Sequence, residues 1–347
     1  MATQVVSQIM RRAEEEELNC GSGGGADNML GLRIASIFII LVGSTSGALF
    51  PVLAKNSSWL HVPKSVFDFA KYFGSGVIIA TAFIHLLVPG IEALESPCLP
   101  AGWSEYPYAF ALCLLSIFLI FIVEVFAFRW GTHKLAMIGM QHDAHGHGTG
   151  SHAAHGPEGN VTDTKSSLDD STDIEAAEST HALDTTHTQI VGVAILELGV
   201  VLHSILIGLT LAVSEEFKIL FVVLVFHQTF EGLGIGSRLA FLDLPASYGW
   251  MRMAGAIMYG LTTPVGVAVG LAVRTTYNPE SATASIVSGV LDSFSAGILI
   301  YTGMVELLAH EFLFNKEMMK GSTGQLCYAI GCMMLGCALM ALIGKWA

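Results

Sequence analysis

The sequence reads His203-Ser204-Ile205-Leu206-Ile207-Gly208 in one apolar run and His227-Gln228-Thr229-Phe230-Glu231-Gly232 in the next. Each run is long enough to cross a bilayer, which takes about 20 helical residues. Imidazole and carboxylate groups are expensive in hydrocarbon, so their default explanation is a function. The two segments together indicate a polar site near the middle of a membrane.

The composition agrees with a membrane protein. Of 347 residues, 52% are hydrophobic and 13% are charged, whereas soluble domains average about 25% charged residues. The net charge of −13 is concentrated in two polar segments. Residues 141–187 hold nine acidic residues and one Lys, and residues 1–30 hold five acidic residues and two Arg. The remainder is nearly neutral, and no nucleic-acid partner is indicated.

The apolar runs predict an all-α polytopic membrane protein with eight transmembrane helices. The predicted spans are 31–54, 67–91, 106–129, 188–213, 218–240, 251–273, 283–312 and 325–346. They divide the chain into a tail (1–30), spans one to three (31–130), a loop (131–187) and spans four to eight (188–347).

Positive charge predicts the orientation of the spans. The loops and helix ends after spans one, three, five and seven carry ten Lys or Arg, against six on the other side. We therefore expect both termini outside the cytoplasm and the loop 131–187 inside it. Cys20 and Cys98 both fall on the outer side, where oxidising conditions permit a disulfide. Two unpaired thiols are an equal alternative.

The cytoplasmic loop contains a histidine-rich tract within low-complexity sequence that we expect to be disordered. Its members are His142, His145, His147, His152 and His155. Flexible tracts of this kind bind divalent transition metals loosely. We therefore favour a metal sensor or buffer over the alternative, a solubilising linker whose histidines are incidental.

Spans four and five are predicted to form an antiparallel hairpin, because only Ser214-Glu215-Glu216-Phe217 connects them. His227 and Glu231 are four residues apart and share one helix face. At about 1.5 Å of rise per residue, His203, His227 and Glu231 lie roughly 16, 14 and 20 Å from the turn. All three side chains are therefore expected near the same depth, close to mid-bilayer.

This set of donors suits a metal ion. Two imidazole nitrogens, one carboxylate oxygen and a hydroxyl or amide are a plausible shell for Zn²⁺ or Fe²⁺. The alternative is that each side chain is a hydrogen-bonded residue holding helices together. This structural alternative would account for a single histidine. It accounts less well for five polar side chains at one depth: His203, Ser204, His227, Gln228 and Glu231.

Polar residues recur in other spans. His85 in span two precedes Glu92 by seven residues, and the two could form an entrance step. Glu306 and His310 in span seven are four residues apart and could form an exit step. Ordinary solvation near the membrane surface is an equal alternative for both pairs. Asp292, at the start of span seven, has no clear partner in the sequence.

These residues resemble the ZIP (Zrt/Irt-like) metal transporters, from residue 30 to the end of the chain. The resemblance rests mainly on the two polar segments of spans four and five. Supporting matches are Phe83-Ile84-His85-Leu86-Leu87, the His-rich loop and the ending Gly344-Lys345-Trp346-Ala347. Cys20, Asp27 and the stretch 30–33 are similar to the fungal, zinc-regulated branch.

The resemblance implies an eight-helix bundle with spans four and five at its centre and with outside termini. It implies uptake of Zn²⁺, or of Fe²⁺ or Mn²⁺, across the plasma membrane, without a prosthetic group. The implied partners are the metal ion and the lipid bilayer, and a homodimer is compatible with it. Entrance positions match His85 and Glu92. The transport site would be lined by His203, Ser204, His227, Gln228 and Glu231.

Two departures from the family pattern bear on the number of ions. Some relatives have an acidic residue where this chain has Ile207, and some have one where it has Thr263, just before Pro264. We therefore expect one ion per protomer. Plant relatives carry an Asp near the position of Pro89, and its absence here bears on metal selectivity.

Two other functions stay open on the residues alone. His227 and Glu231 could hold zinc in an intramembrane hydrolase, although no HExxH motif, evident third ligand or free base accompanies them. The second open function is a metal-sensing receptor whose output is the loop 131–187. Neither predicts metal accumulation, whereas alternating-access transport does. We expect a transporter and not an enzyme.

Overall fold

A computed structural model describes residues 20–21, 28–56, 62–137, 194–214, 216–242, 244 and 248–346. Within these ranges eight helices are long and apolar enough to cross a membrane. They are Leu30–Lys55, Lys64–Leu94, Tyr108–Phe126, Ala194–Val213, Phe217–Phe241, Trp250–Val273, Ala282–Leu313 and Thr323–Ile343, numbered here as spans one to eight. The prediction of an all-α, eight-span, multi-pass membrane protein is confirmed.

Spans two and seven are not regular α-helices throughout. Span two has a π-helical segment, Thr81–Leu87, between α-helices Lys64–Ala80 and Val88–Leu94. Pro89 follows directly and has no backbone N–H to donate to the turn before it, which favours a widened turn there. Span seven changes from α-helix to π-helix at Gly303 and continues so to Leu313. Such segments are frequent at functional sites.

Spans two, five, six and seven are the most buried of the eight, and spans three and eight are the least buried. Span five packs against spans one, two and six, while span two also packs on span eight, and span seven packs on spans two and three. In lipid, small residues let helix backbones approach closely. A Cβ added to Gly74 would lie 2.2 Å from the Cα atom of Gly234, so spans two and five touch through their backbones.

The turn between spans four and five is held by Arg33 of span one, whose side chain is completely buried. Its guanidinium donates to the carbonyl oxygens of Leu211 at 3.2 Å, Ala212 at 3.0 Å and Ser214 at 2.7 Å. It also lies 4.6 Å above the ring of Phe217. The last carbonyls of a helix lack intrahelical donors and attract cations. Arg33 therefore caps span four and fixes the hairpin to span one.

Of the two alternatives for Cys20 and Cys98, the structure has the disulfide, with Cα atoms 5.4 Å apart. The side-chain amide of Asn278 donates to the carbonyl of Gly21 at 2.7 Å, which ties the same segment to the connection after span six. We call this end of the bundle the disulfide end. The opposite end, where span four begins at Ala194, is called the loop end.

The close approach of spans two and five predicts that Gly74→Ala destabilises the bundle. Its added methyl would meet backbone, which cannot move aside as a flexible side chain can. We expect a fall in the midpoint of thermal unfolding, measured in detergent by size-exclusion chromatography. Gly331→Ala is the matched control, because a Cβ there meets nothing within 4 Å. Equal midpoints for both variants would contradict this packing.

Candidate functional site

The centre of the bundle contains a buried pair on span five. His227 and Glu231 lie one helical turn apart, and both side chains have no exposed surface. The Nε2 atom of His227 is 3.8 Å from the Oε2 atom of Glu231. The four-residue spacing predicted this common face, and the structure places the pair in the buried interior of the bundle.

His203 of span four joins this pair across the hairpin. Its ring centroid is 5.5 Å from that of His227, as the matched depths predicted. On its other side, Nδ1 of His203 lies 3.7 Å from the Oδ1 atom of Asp292 of span seven. No partner for Asp292 could be predicted from local spacing, because Asp292 lies 89 positions away from His203 along the chain. Its only signal was a carboxylate within an apolar span.

His85 of span two completes the row of imidazoles. Its ring centroid is 4.7 Å from that of His227, with the rings nearly perpendicular. Its Nε2 atom lies 3.0 Å from the carbonyl oxygen of Met340 in span eight. A carbonyl only accepts, so Nε2 carries the proton, and in the neutral ring Nδ1 then keeps its lone pair. His85 therefore belongs to the central cluster.

Glu92, the predicted partner of His85, is exposed near the disulfide end of span two. The spacing argument assumed 3.6 residues per turn, whereas His85 lies in the π-helical segment Thr81–Leu87, which turns more slowly. The two residues thus lie in different surroundings, one in the buried cluster and one at the surface. The entrance role of Glu92 stays a prediction.

A second polar layer runs beside the histidines. The side-chain amide of Gln228 donates to the hydroxyl of Thr263 in span six and lies 3.5 Å from the Oγ atom of Ser204. All three side chains are buried. Ser204 and Gln228 were predicted at the site, whereas Thr263 was noted only for replacing an acidic residue. The structure gives its hydroxyl a role, because it holds the amide in place.

Tyr259 of span six is a site residue that sequence reasoning missed. Its hydroxyl donates to the backbone carbonyl of Gln228 at 2.7 Å and lies 3.4 Å from Oε2 of Glu231. The side chain is 1% exposed. A tyrosine in an apolar span reads as ordinary packing, so no local pattern singled it out.

Several buried nitrogen and oxygen atoms of the cluster have no hydrogen-bond partner. They include both ring nitrogens of His203 and of His227 and one oxygen each of Gln228, Glu231 and Asp292. Each unpaired buried polar group costs about 1–3 kcal/mol. Nitrogen and carboxylate oxygen donors are those that Zn²⁺ and related divalent ions take. The donor set therefore fits a divalent metal ion as a transient ligand.

The donors are arranged as pairs and not as a finished coordination shell. Among the described residues, no group of three or more His, Cys, Asp or Glu side chains is already positioned to hold one metal ion. The pairs His203–Asp292 and His227–Glu231 would have to move together to share an ion. Loose donors of this kind suit an ion that binds and leaves, whereas structural zinc sites have four closed ligands.

The other predicted site residues lie elsewhere. Glu306 of span seven lies 3.9 Å from the guanidinium of Arg238 in span five, and His310 is exposed beside the ring of Phe314 at 5.6 Å between centroids. Both belong to the loop-end half of span seven. Five predicted loop ligands fall outside the described residues: His142, His145, His147, His152 and His155.

The comparisons with known proteins also point to metal transporters. The sequence profile of the family described as ZIP Zinc transporter matches residues 30–344. The chain is 42% identical to Zinc-regulated transporter 1 of Saccharomyces cerevisiae, over 94% of this chain and 90% of that protein. It is 37% identical to Zinc-regulated transporter 1 of Schizosaccharomyces pombe, over 98% and 92%. It is also 35% identical to Fe(2+) transport protein 1 of Arabidopsis thaliana, over 92% and 86%.

The contacts of Tyr259 predict that Tyr259→Phe lowers the stability of the bundle. It removes a buried hydroxyl that donates to the carbonyl of Gln228, and a net hydrogen bond of this kind contributes about 0.5–1.5 kcal/mol. The measurement is the thermal unfolding midpoint in detergent. Tyr328→Phe is the matched control, since it removes a 3.0 Å hydrogen bond to the carbonyl of Ser65 at an exposed position. A larger loss for the control would contradict the role of Tyr259.

Proposed function

The chain belongs to the ZIP family of zinc transporters, and we propose that it takes up Zn²⁺ through the buried cluster of His203, His227 and Glu231. It is a membrane transporter of divalent metal ions. The observation that carries the site is the set of buried imidazole nitrogens and carboxylate oxygens without partners, in the middle of the bundle. Water would satisfy such atoms at a surface, and an arriving cation satisfies them here.

Three further residues are proposed to support the ion around this core. His85 offers the lone pair of Nδ1 from span two, and Ser204 and Gln228 contribute a hydroxyl and an amide oxygen from the hairpin. The Oε1 atom of Gln228 has no partner and is free to accept a cation. Imidazole and oxygen donors bind divalent ions reversibly, unlike a closed set of thiolates.

One ion per protomer is the stoichiometry that we propose. Ile207 offers no donor, and the Thr263 hydroxyl is engaged by Gln228. Zn²⁺ is the proposed cargo, and Fe²⁺ is a second candidate because a relative of comparable identity is called an Fe(2+) transport protein. Mn²⁺ shares the same donor preferences in part.

The proposed route runs from the outside to the cytoplasm by alternating access. Glu92 is exposed toward the disulfide end and is placed to attract cations there. Glu306 and His310 form the proposed exit step at the loop end, and the His-rich loop then buffers the released ion. The disulfide supports an outer location for its end of the bundle, because disulfides persist in oxidising compartments.

The cell surface is the proposed membrane, and transport without catalysis is the proposed activity. The named relatives given above are transporters. A hydrolase would require His227 and Glu231 to fix a metal-bound water, whereas the cluster's donors are arranged in separate pairs. A homodimer is compatible with this proposal.

The proposed site predicts that His203→Ala and His227→Ala each reduce radiozinc uptake by roughly tenfold or more, because loss of one metal donor weakens the shell. Uptake is measured in intact cells that lack other zinc importers. Surface amounts are matched by biotinylation. Glu280→Gln, at an exposed residue of the connection before span seven, is the control and should transport normally. Undiminished uptake by both histidine variants at normal surface amounts would exclude this site.

The proposed orientation predicts which cysteine reacts from outside the cell. Cys20→Ser frees the thiol of Cys98 from its disulfide. A membrane-impermeant maleimide should then label Cys98 on intact cells and leave the Cys20→Ser/Cys98→Ser protein unlabelled. Labelling of Cys98 only after the cells are lysed would place the disulfide end in the cytoplasm.

A further inference from the structure

A charged pair lies between the central cluster and the loop end. Arg238 is seven residues after Glu231 on span five, which is two helical turns and about 10.5 Å along the axis. Residues seven apart lie on nearly the same helix face. The guanidinium of Arg238 therefore lies on the loop-end side of Glu231, two turns along nearly the same face of span five.

The pair marks a change in burial along this face. The side chains of His227 and Glu231 are fully buried, whereas those of Arg238 and Glu306 are 19% and 32% exposed. The Arg238 Nη2 to Glu306 Oε2 distance is 3.9 Å. The fully buried part of this face thus ends, on the loop-end side, where a guanidinium and a carboxylate face each other.

This ion pair reaches across the bundle. Span five packs on spans one, two and six, and span seven packs on spans two and three. Spans five and seven thus share span two as a neighbour but pack little against each other, so the pair of Arg238 and Glu306 is a direct link between them. The nearby pair of Lys71 and Glu311 differs in this respect, because it joins spans two and seven, which already pack together along their length.

We propose that Arg238 is the inner gating residue of metal transport, holding the loop end closed through Glu306. While the pair is formed, a cation at Glu231 meets a permanent positive charge two turns below it. The same guanidinium occupies the carboxylate of Glu306, which the proposed exit step requires. When the pair separates, the repulsion moves away and Glu306 becomes available to the ion. This gate rests on the proposed transport function.

The test measures access to the site from the loop end. Ile235 lies between Glu231 and Arg238 and is 1% exposed. Ile235→Cys is placed in a protein whose four free cysteines are Ser: Cys113, Cys327, Cys332 and Cys337. A membrane-impermeant maleimide is then applied to vesicles of both orientations, so that the reading does not depend on the topology.

We expect slow labelling of Ile235→Cys in the background that lacks the four free cysteines and retains both Arg238 and Glu306. Arg238→Gln and Glu306→Gln should each speed labelling from the loop end by about fivefold or more, a usual size for a two-state coupling. The charge swap Arg238→Glu with Glu306→Arg should restore slow labelling. Lys71→Gln is the matched control and should leave the rate unchanged, because its pair joins spans two and seven, which already pack together, and does not involve span five.

Three outcomes would overturn the gate. They are unchanged labelling in both Arg238→Gln and Glu306→Gln, equal acceleration by Lys71→Gln, or failure of the charge swap to restore protection. If one single variant does not fold, the other carries the test. Failure of the gate leaves the dependence of zinc uptake on His227 intact. Failure of the proposed function removes that dependence and leaves the labelling result standing.

Discussion

The hairpin of spans four and five buries imidazole and carboxylate atoms that have no hydrogen-bond partner, and the rest of the bundle compensates for that cost. Tyr259 and Thr263 of span six hold the backbone and amide of Gln228. Arg33 of span one caps the hairpin turn. These neighbours hold the turn, the backbone and the side-chain amide of the hairpin, while the ring nitrogens of His203 and His227 have no hydrogen-bond partner. The atoms without partners are of the kind that bind divalent cations.

Charge is distributed along the bundle according to the same constraint. At the buried centre, His203 faces Asp292 and His227 faces Glu231, and neither of these pairs forms a complete coordination shell. At the loop end, Lys71 with Glu311 and Arg238 with Glu306 are already paired and partly exposed. A paired carboxylate has little affinity for a cation until its partner leaves. The arrangement therefore separates a buried centre, which has no ion-paired Lys or Arg among the described residues, from a loop end where carboxylates are paired with Lys71 and Arg238.

Much of the fold could be predicted from the sequence because lipid removes alternatives. With no water to satisfy the backbone, an apolar run must be a helix, and a four-residue connection must make a hairpin. The matched depths of His203 and His227 follow from helical rise alone. The position of His85 beside them could not be derived in this way, because a π-helical segment changes the periodicity of span two. Asp292 and Tyr259 lie on spans whose rotation depends on packing between distant helices.

The sequence by itself determined the eight spans, the hairpin and the common depth of His203, His227 and Glu231, since these depend on hydropathy, helical rise and connection length. The tertiary structure decided which other helices supply the neighbours of those donors. It brought in His85, Asp292 and Tyr259, paired Cys20 with Cys98, and placed Arg238 opposite Glu306. The physical reason is that side-chain contacts between spans depend on helix rotation, which close backbone packing at residues such as Gly74 and Gly234 sets, and local sequence does not encode it.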